Sequence, residues 1–395
     1  MASEAFILSG IRTPMGALGG SLAEVPAPEL GAVAIRQAVQ LAGVQPGAID
    51  EVIMGNVISA GLGQNPARQA AIRAGMPVAV GATTVNKVCG SGLKAVMLAT
   101  QAIRLGEAQI VVAGGMESMS RAPYLLLKAR QGYRMGNGEL FDAMILDGLL
   151  DAYGAQHMGV YGDRCAERCN FSREELDNFA VRSYTRARKA AAAGIFKNEI
   201  VPVPATIKKQ TMLVTEDEGP TRFDEAKLRA LRPVFGERGT VTAGNASSIS
   251  DGGAALVLAS PHACEKHLLH PIARMVGMAT FSREPEWFSL APIGALRKLL
   301  EQINWTVKST DLFEINEAFA AVTLAAEREL GIPAEKVNIY GGAVALGHPI
   351  GCSGARILVT LLNGLRHSGG KRGVACLCIG GGEAVAVAVE MIAAV

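Results

Sequence analysis

Aromatic side chains are scarce in this chain: Phe, Trp and Tyr make up 5% of its 395 residues, while hydrophobic residues as a whole make up 49%. A core built from small aliphatic side chains follows, and 46 glycines point to close backbone packing and many turns. An excess of charge is also missing. The formal net charge is +2, which gives no general attraction for nucleic acid or for a membrane surface. No disulfide framework is visible: the cysteines number seven, at irregular spacing in a long chain, and a reducing compartment fits them better. The stretch MASEAFILSGIRTPMG lacks the basic start and long apolar run of a secretory signal. The charge-free stretch 337–355 is interrupted by Gly, His and Pro, which makes it a poor membrane span. There is no GxxxxGK(S/T) and no convincing GxGxxG after a first strand, so nucleotide cofactors are not indicated. The expectation is a soluble cytoplasmic protein.

What is present is alternation. AFILSG (5–10), VIMGNV (52–57) and QIVVAGG (109–115) read as strands; PELGAVAIRQAVQLAG (28–43) and NPARQAAIRAG (65–75) read as helices. This predicts an α/β fold with buried sheets, and 395 residues suggest two or three domains. From about 120 to 246 the chain is richer in Arg, Lys, Tyr and acidic residues. It holds an amphipathic helix over 173–194, with Ser172 three residues before Glu175 as in a capping box. After 272 the alternation resumes and echoes the start. Residues 89–118 and 352–384 both run from a Cys/Ser/Gly cluster through a helix and a strand into a Gly-Gly-x-Glu turn, and EVIMGN (51–56) matches DLFEIN (311–316). Two duplicated halves are predicted, 1–120 with 247–271 and then 272–395, with 121–246 as an insertion.

Four segments can carry chemistry. VNKVCGSGLKAV (85–96) sets Cys89 before a helix start, whose N–H groups and dipole favour a thiolate. A helix end contributes roughly 0.3–1 kcal/mol, and one pKa unit is about 1.4 kcal/mol. The helix alone therefore activates the thiol too little, and the residues leave Cys89 open between packing and reaction. INEAFAAV (315–322) puts Asn316 and Glu317 at a strand-to-helix change, where a cap explains them as well as a site does. GGAVALGHPIGCSGA (341–355) holds His348 before a proline that restricts its backbone, a candidate base. CLCIGGGEA (376–384) puts Cys376 and Cys378 on one face of a strand before three glycines. CxC is not a common zinc spacing and no second pair exists, so no metal is expected. His262, His267 and His270 fit a surface helix, and His367 a Gly/Lys turn.

NKVCGSGLKAV, GGMESMSRAPYLL, GNASS, NEAFA, GHPIGCSGAR and CIGGGEA together resemble the thiolases, in particular the acetyl-CoA acetyltransferases, over essentially the whole chain and in the family's order. The resemblance implies two βαβαβαββ halves in a five-layer αβαβα arrangement with an inserted loop domain for coenzyme A binding and oligomer contacts. It implies condensation of two acetyl-CoA to acetoacetyl-CoA and coenzyme A, and the reverse thiolysis, by a ping-pong route. Cys89 matches the acylated nucleophile, His348 its base, and Cys378 the acid/base for the second substrate. Asn316 matches the residue that holds a water at the enolate oxygen, and Cys89 and Gly380 match donors of an oxyanion hole. A pantetheine and acyl tunnel would be lined by Leu149, His157, Met158, Phe235, Ala246, Ser247, Phe288, Ala318 and Phe319. Coenzyme A thioesters are then substrates and no cofactor is expected. Lys208, Lys209, Arg222, Lys227 and Arg229 are phosphate partners to consider. A homotetramer is implied, with the partly apolar segment 121–145 as its contact.

The sequence departs from the family pattern in four places. Ser248 stands where glycine is usual, Phe288 and Ala291 where Met and Gly are usual, and Glu383 where Met is common; Arg222 is displaced from an Arg-Pro. These leave open a broader 3-ketoacyl-CoA thiolase. A ketosynthase lacks the Cys378 cysteine, and a non-catalytic acyl-CoA-binding relative would not need Cys89, His348 and Cys378.

Overall fold

A computed structural model describes residues 4–392. Its strands are β1 (Phe6–Arg12), β2 (Glu51–Gly55), β3 (Gly81–Val85), β4 (Ile110–Ser118), β5 (Ser250–Ala259), β6 (Ala273–Ser282), β7 (Leu312–Ile315), β8 (Arg372–Ile379) and β9 (Glu383–Met391). They join in the order β7-β8-β9-β6-β1-β5-β4-β2-β3, with a two-residue strand, Gly16–Ala17, on the start of β5. The helices that matter to the site are α1 (Ala27–Ala42), α2 (Pro66–Arg73), α3 (Ser91–Leu105), α4 (Met158–Arg168), α5 (Arg173–Ala192), α6 (Ala291–Gln302), α7 (Ala320–Leu330) and α8 (Ser353–Ser368).

The duplication is visible in the pairing. In the first half β2 is parallel to β4, β4 antiparallel to β5, and β5 antiparallel to β1. In the second, β7 is parallel to β8, β8 antiparallel to β9, and β9 antiparallel to β6. The counterpart of β3 shrinks to one parallel bridge, Phe313 to Val337. Among the described residues the strands of the two halves pair edge to edge at Phe6–Arg274 and Ile7–Ala273.

Five layers result because each sheet buries both faces. α1 and α2 cover the outer face of the first half, and α6 and α7 that of the second. Between the sheets lie α3 and α8, whose Leu93, Val96, Ile357 and Leu361 share one core with Val111, Leu256, Leu377 and Val387. Glycine lets the two helix starts reach the strand ends: a Cβ on Gly115 would stand 2.1 Å from Gly351 O, and one on Gly92 2.8 Å from Ala355 N.

The segment between β4 and β5 packs mainly on the second half. Cys165, Leu176 and Phe179 of α4 and α5 bury themselves against Ala321 and Ala325 of α7. α5 opens with the capping box Ser172–Glu175. Fully buried Arg12 ties the segment back to β1 through Glu199 at 2.6 Å and a bidentate pair with Asp217 at 2.7 and 2.9 Å. His367 ends α8 rather than standing in a turn, its Nδ1 3.0 Å from Asn363 O. Among the described residues no helix is long and apolar enough to cross a membrane.

Candidate active site

β3 ends at Val85, and Asn86–Gly90 turn the chain into α3. Asn86 Oδ1 accepts from Val88 N at 3.0 Å; Ser91 Oγ accepts from Lys87 N at 2.8 Å and donates to Val88 O at 2.6 Å. Val88 sits at φ 46°, in the left-handed region that β-branched side chains avoid. This tied turn presents Cys89, half-buried, at the mouth of α3. Burial pushes the Cys89 thiol up to about 11, against the N–H groups of Gly380 and of Cys89 itself, which favour the thiolate; Glu117 adds a smaller upward push. The Gly380 backbone, from the other half, therefore stands close enough to the sulfur to favour its thiolate.

His348 N donates to Ser248 O at 3.0 Å. Its Nδ1 lies 2.5 Å from Ser353 Oγ, and Ser353 donates its proton to Pro349 O at 2.9 Å. Ser353 must then accept from His348 Nδ1–H, which assigns the tautomer and leaves the Nε2 lone pair without a protein partner. Burial, with the Arg356 guanidinium adding to it, pulls this imidazole down to about 3, so it is neutral at physiological pH.

Asn316 follows β7 and is fully buried. Its N–H donates to Cys376 O at 2.9 Å, and its Oδ1 faces Arg356 Nη2 at 3.4 Å, so Nδ2 is turned away with no protein partner. Arg356 is buried too, 3.8 Å from Glu314, whose carboxyl burial pushes up to about 8. Glu317 is not part of this group: it is consumed by Ser183 Oγ (2.7 Å), Asn338 Nδ2 (2.9 Å) and Val344 N (3.1 Å). Cys378, near the end of β8, is fully buried; desolvation holds its thiol well above the ordinary value, and the neighbouring Cys89 adds to this.

Around Cys378 lie Phe288, Ala318, Phe319 and Tyr161, with Met158, Phe235 and Ala246 at the edge. Phe288 meets Phe319 edge-on at 6.4 Å, and His157 stacks on Phe235 at 4.7 Å while its Nδ1 caps α4. Ala246 bridges to Phe319, and Ser247 N donates to Ala318 O at 3.0 Å. Leu149 stands in a different cluster, with Cys89 and Ile350. The basic residues do not converge. Lys208 and Lys209 turn a hairpin between Val203–Ile207 and Gln210–Val214, while Arg222, Lys227 and Arg229 each pair with a nearby Glu or Asp. Among the described residues no group of His, Cys, Asp or Glu could hold a metal ion.

Sequence reasoning passed over Glu117, Ser353, Arg356 and the ion pair of Lys87 with Glu383, which joins the Cys89 turn to the start of β9. It also aligned the repeats wrongly at one point. Glu117 lies near the end of β4 and Glu383 at the start of β9, so the two are not counterparts: strand register and not the Gly-Gly-x-Glu string sets the correspondence.

The thiolase N-terminal domain model matches residues 5–262 and the thiolase C-terminal domain model residues 269–391. An acetyl-CoA acetyltransferase of Chromobacterium violaceum is 50% identical over 98% of this chain and 99% of its own. Acetyl-CoA acetyltransferase 2 of Arabidopsis thaliana is 51% identical over 98% of this chain and 96% of its own. The crystal structure of the Bacillus anthracis acetyl-CoA acetyltransferase matches with a TM-score of 0.96 at 41% identity, over 99% of both chains. The Acat5 thiolase of Ascaris suum in complex with coenzyme A matches at 0.94 and 42%, over 98% of this chain and all of that one. With both family domains in order and the two halves in one five-layer fold, the chain belongs to the thiolase family.

Proposed function

We propose that this chain is an acetyl-CoA acetyltransferase that joins two acetyl-CoA into acetoacetyl-CoA and coenzyme A, and runs the reverse thiolysis, through an acetyl group on Cys89. The observation that carries the reading is the meeting of two thiols from different halves, Cys89 and Cys378, beside the Gly380 N–H. Two thiols divide the work because an acylated sulfur cannot also move a proton.

In the first half-reaction the Cys89 proton passes to His348 Nε2 and the sulfur attacks the thioester carbonyl. The Cys89 and Gly380 N–H groups receive the oxyanion, and the coenzyme A thiolate leaves with the proton held by His348. In the second, Cys378 passes its thiol proton to His348 Nε2 and, as the thiolate, takes the α-proton of a new acetyl-CoA, while Asn316 with the protonated His348 receives the enolate charge. The carbon attacks the acetyl group, and Cys89 departs with the proton held by His348, which leaves both thiols and the imidazole neutral again. Burial explains why the resting site is neutral: it penalises a lone thiolate and a lone imidazolium alike. A proton shared between them makes an attracting pair, so charge develops only as the reaction proceeds.

The aromatic wall of Phe288, Phe319 and Tyr161 against Cys378 favours a short acyl group. Coenzyme A thioesters are substrates here, and no further cofactor enters the scheme. The segment 121–246 would hold coenzyme A, with Lys208, Lys209 or Arg222 toward its phosphates, and the site of action would be cytoplasmic. Exposed Tyr124, Leu127, Met135 and Leu140 support a homotetramer contact in 121–145. Incubation with radiolabelled acetyl-CoA and peptide mapping tests the reading: the label belongs on Cys89, and its absence there removes the enzyme assignment. A higher kcat/KM for thiolysis of 3-ketohexadecanoyl-CoA than of acetoacetyl-CoA would replace it with a broader thiolase.

A further inference from the structure

Matching the halves by strand register and helix starts gives Asn316, Cys378 and Cys89 a counterpart each. Asn56 follows β2 as Asn316 follows β7. Gly55 pairs with Gly115 as Ile315 pairs with Cys376, so two residues on, Glu117 stands where the second half has Cys378. α3 opens with Ser91-Gly92 and α8 with Ser353-Gly354, which makes Gly351 the counterpart of Cys89.

The first half therefore carries a second constellation, and it is closed. Glu117 is fully buried. Its Oε1 accepts from Asn56 Nδ2 at 2.8 Å and Ile58 N at 3.3 Å; its Oε2 accepts from Val57 N at 3.0 Å and Gly351 N at 2.9 Å. A Cβ on Gly351 would lie 2.6 Å from Oε2 and 2.9 Å from Asn56 Cα, so nothing larger fits. Gly351 is three residues past His348 and two before Ser353, the hydrogen-bond partner of that imidazole.

We propose that Glu117 is a positioning residue for the Cys89 site: through Gly351 it fixes the loop that carries His348, and it places a carboxylate behind Cys89. The inference rests on the reading of Cys89 and His348 as nucleophile and base. Four donors favour the anion but only partly counter its desolvation, so burial still pushes this carboxyl up to about 7 and the full negative charge is present above that pH. The charged and titratable groups facing Glu117 are Asp251 on β5, Cys352 before α8, and Cys89. Those facing Cys89 are Glu117, Cys378 and, as its proposed base, the neutral imidazole of His348.

Glu117→Gln and Glu117→Asp, in the full chain, test this by acetoacetyl-CoA thiolysis and by the pH profile of Cys89 alkylation with iodoacetamide. Gln must turn its NH2 toward one pair of N–H donors. The expected result is kcat lower by about 10–100-fold, KM within about twofold, and the alkylation profile displaced to lower pH by the loss of a negative neighbour. Asp keeps the charge but not the reach, so it should lose kcat while alkylation stays near wild type. Wild-type kcat in either variant, or an unmoved alkylation profile in Gln, overturns the proposal; if Gln does not fold, Asp decides. An inactive wild-type protein would instead refute the proposed function, and the alkylation profiles would still report on Glu117.

Discussion

At the end of β8, Cys378 opens onto Phe288, Phe319 and Met158; at the matching end of β4, Glu117 is closed in by four N–H donors. Both places come from one repeated arrangement of strands and helix starts. A thiol takes up little space and binds its neighbours weakly, so Cys378 is held by apolar packing rather than locked by hydrogen bonds. A carboxylate with four donors fills its place and locks it. One half thus carries an open crossing and the other a rigid one, and the rigid one borders the loop that holds His348.

Removing the thiols should have the largest effect. Cys89→Ser is expected to lower thiolysis by about 10³-fold or more. Cys378→Ala should still take an acetyl label on Cys89, read by mass spectrometry, yet fail to condense. Condensation at the wild-type rate in Cys378→Ala would end the distinction between the two crossings.

The paired asparagines sharpen it next. Asn316→Ala should cost about 10²-fold in kcat with its melting temperature nearly unchanged. Asn56→Ala, which strips Glu117 of a donor, should lose about 1–3 kcal/mol of stability and less activity than Asn316→Ala. Kinetics beside thermal melts would reveal the reverse pattern, which would mean the closed crossing is the working one.

A smaller effect concerns pH. The Cys89 thiol is raised to about 11, so its thiolate fraction, and its iodoacetamide alkylation rate, should climb about tenfold per pH unit between pH 7 and 10. Cys169 makes the contrast: the neighbouring Cys165, with Arg328 and Arg168 nearby, lowers its thiol, so its rate should level off at a lower pH than that of Cys89. A plateau for Cys89 below pH 9 would contradict the desolvation that dominates its environment.

The smallest expected effect belongs to Lys87 and Glu383, a half-exposed pair that joins the Cys89 turn of one half to the other. Glu383→Lys should lower kcat by roughly threefold, in the range of an exposed ion pair. The double swap Lys87→Glu with Glu383→Lys should restore it, and high salt should mask both changes.

Much of this was legible in the residues. Strand and helix periodicity located β1, β2, β4, α1 and α2 because each buries a patterned face. The capping box at Ser172 and Glu175 showed the start of α5. The motif set around Cys89, Asn316, His348 and Cys378 was readable only jointly, through resemblance. Ser353 and Arg356 were not readable, since a serine and an arginine in a helix pattern look like surface until neighbours bury them. Glu117 was misread because Gly-Gly-x-Glu occurs twice in the sequence, and only pairing register tells that Glu117 corresponds to Cys378 and not to Glu383.

The sequence by itself determined the α/β class, the duplication and the residue types available for chemistry, because these depend on local periodicity and on motifs read along the chain. Tertiary structure decided which groups meet and in what state. It brought the Gly380 backbone beside Cys89, removed water from Cys378 and His348, and filled the equivalent crossing with Glu117. Those outcomes come from desolvation and from contacts between residues more than 200 positions apart, and no local pattern encodes either.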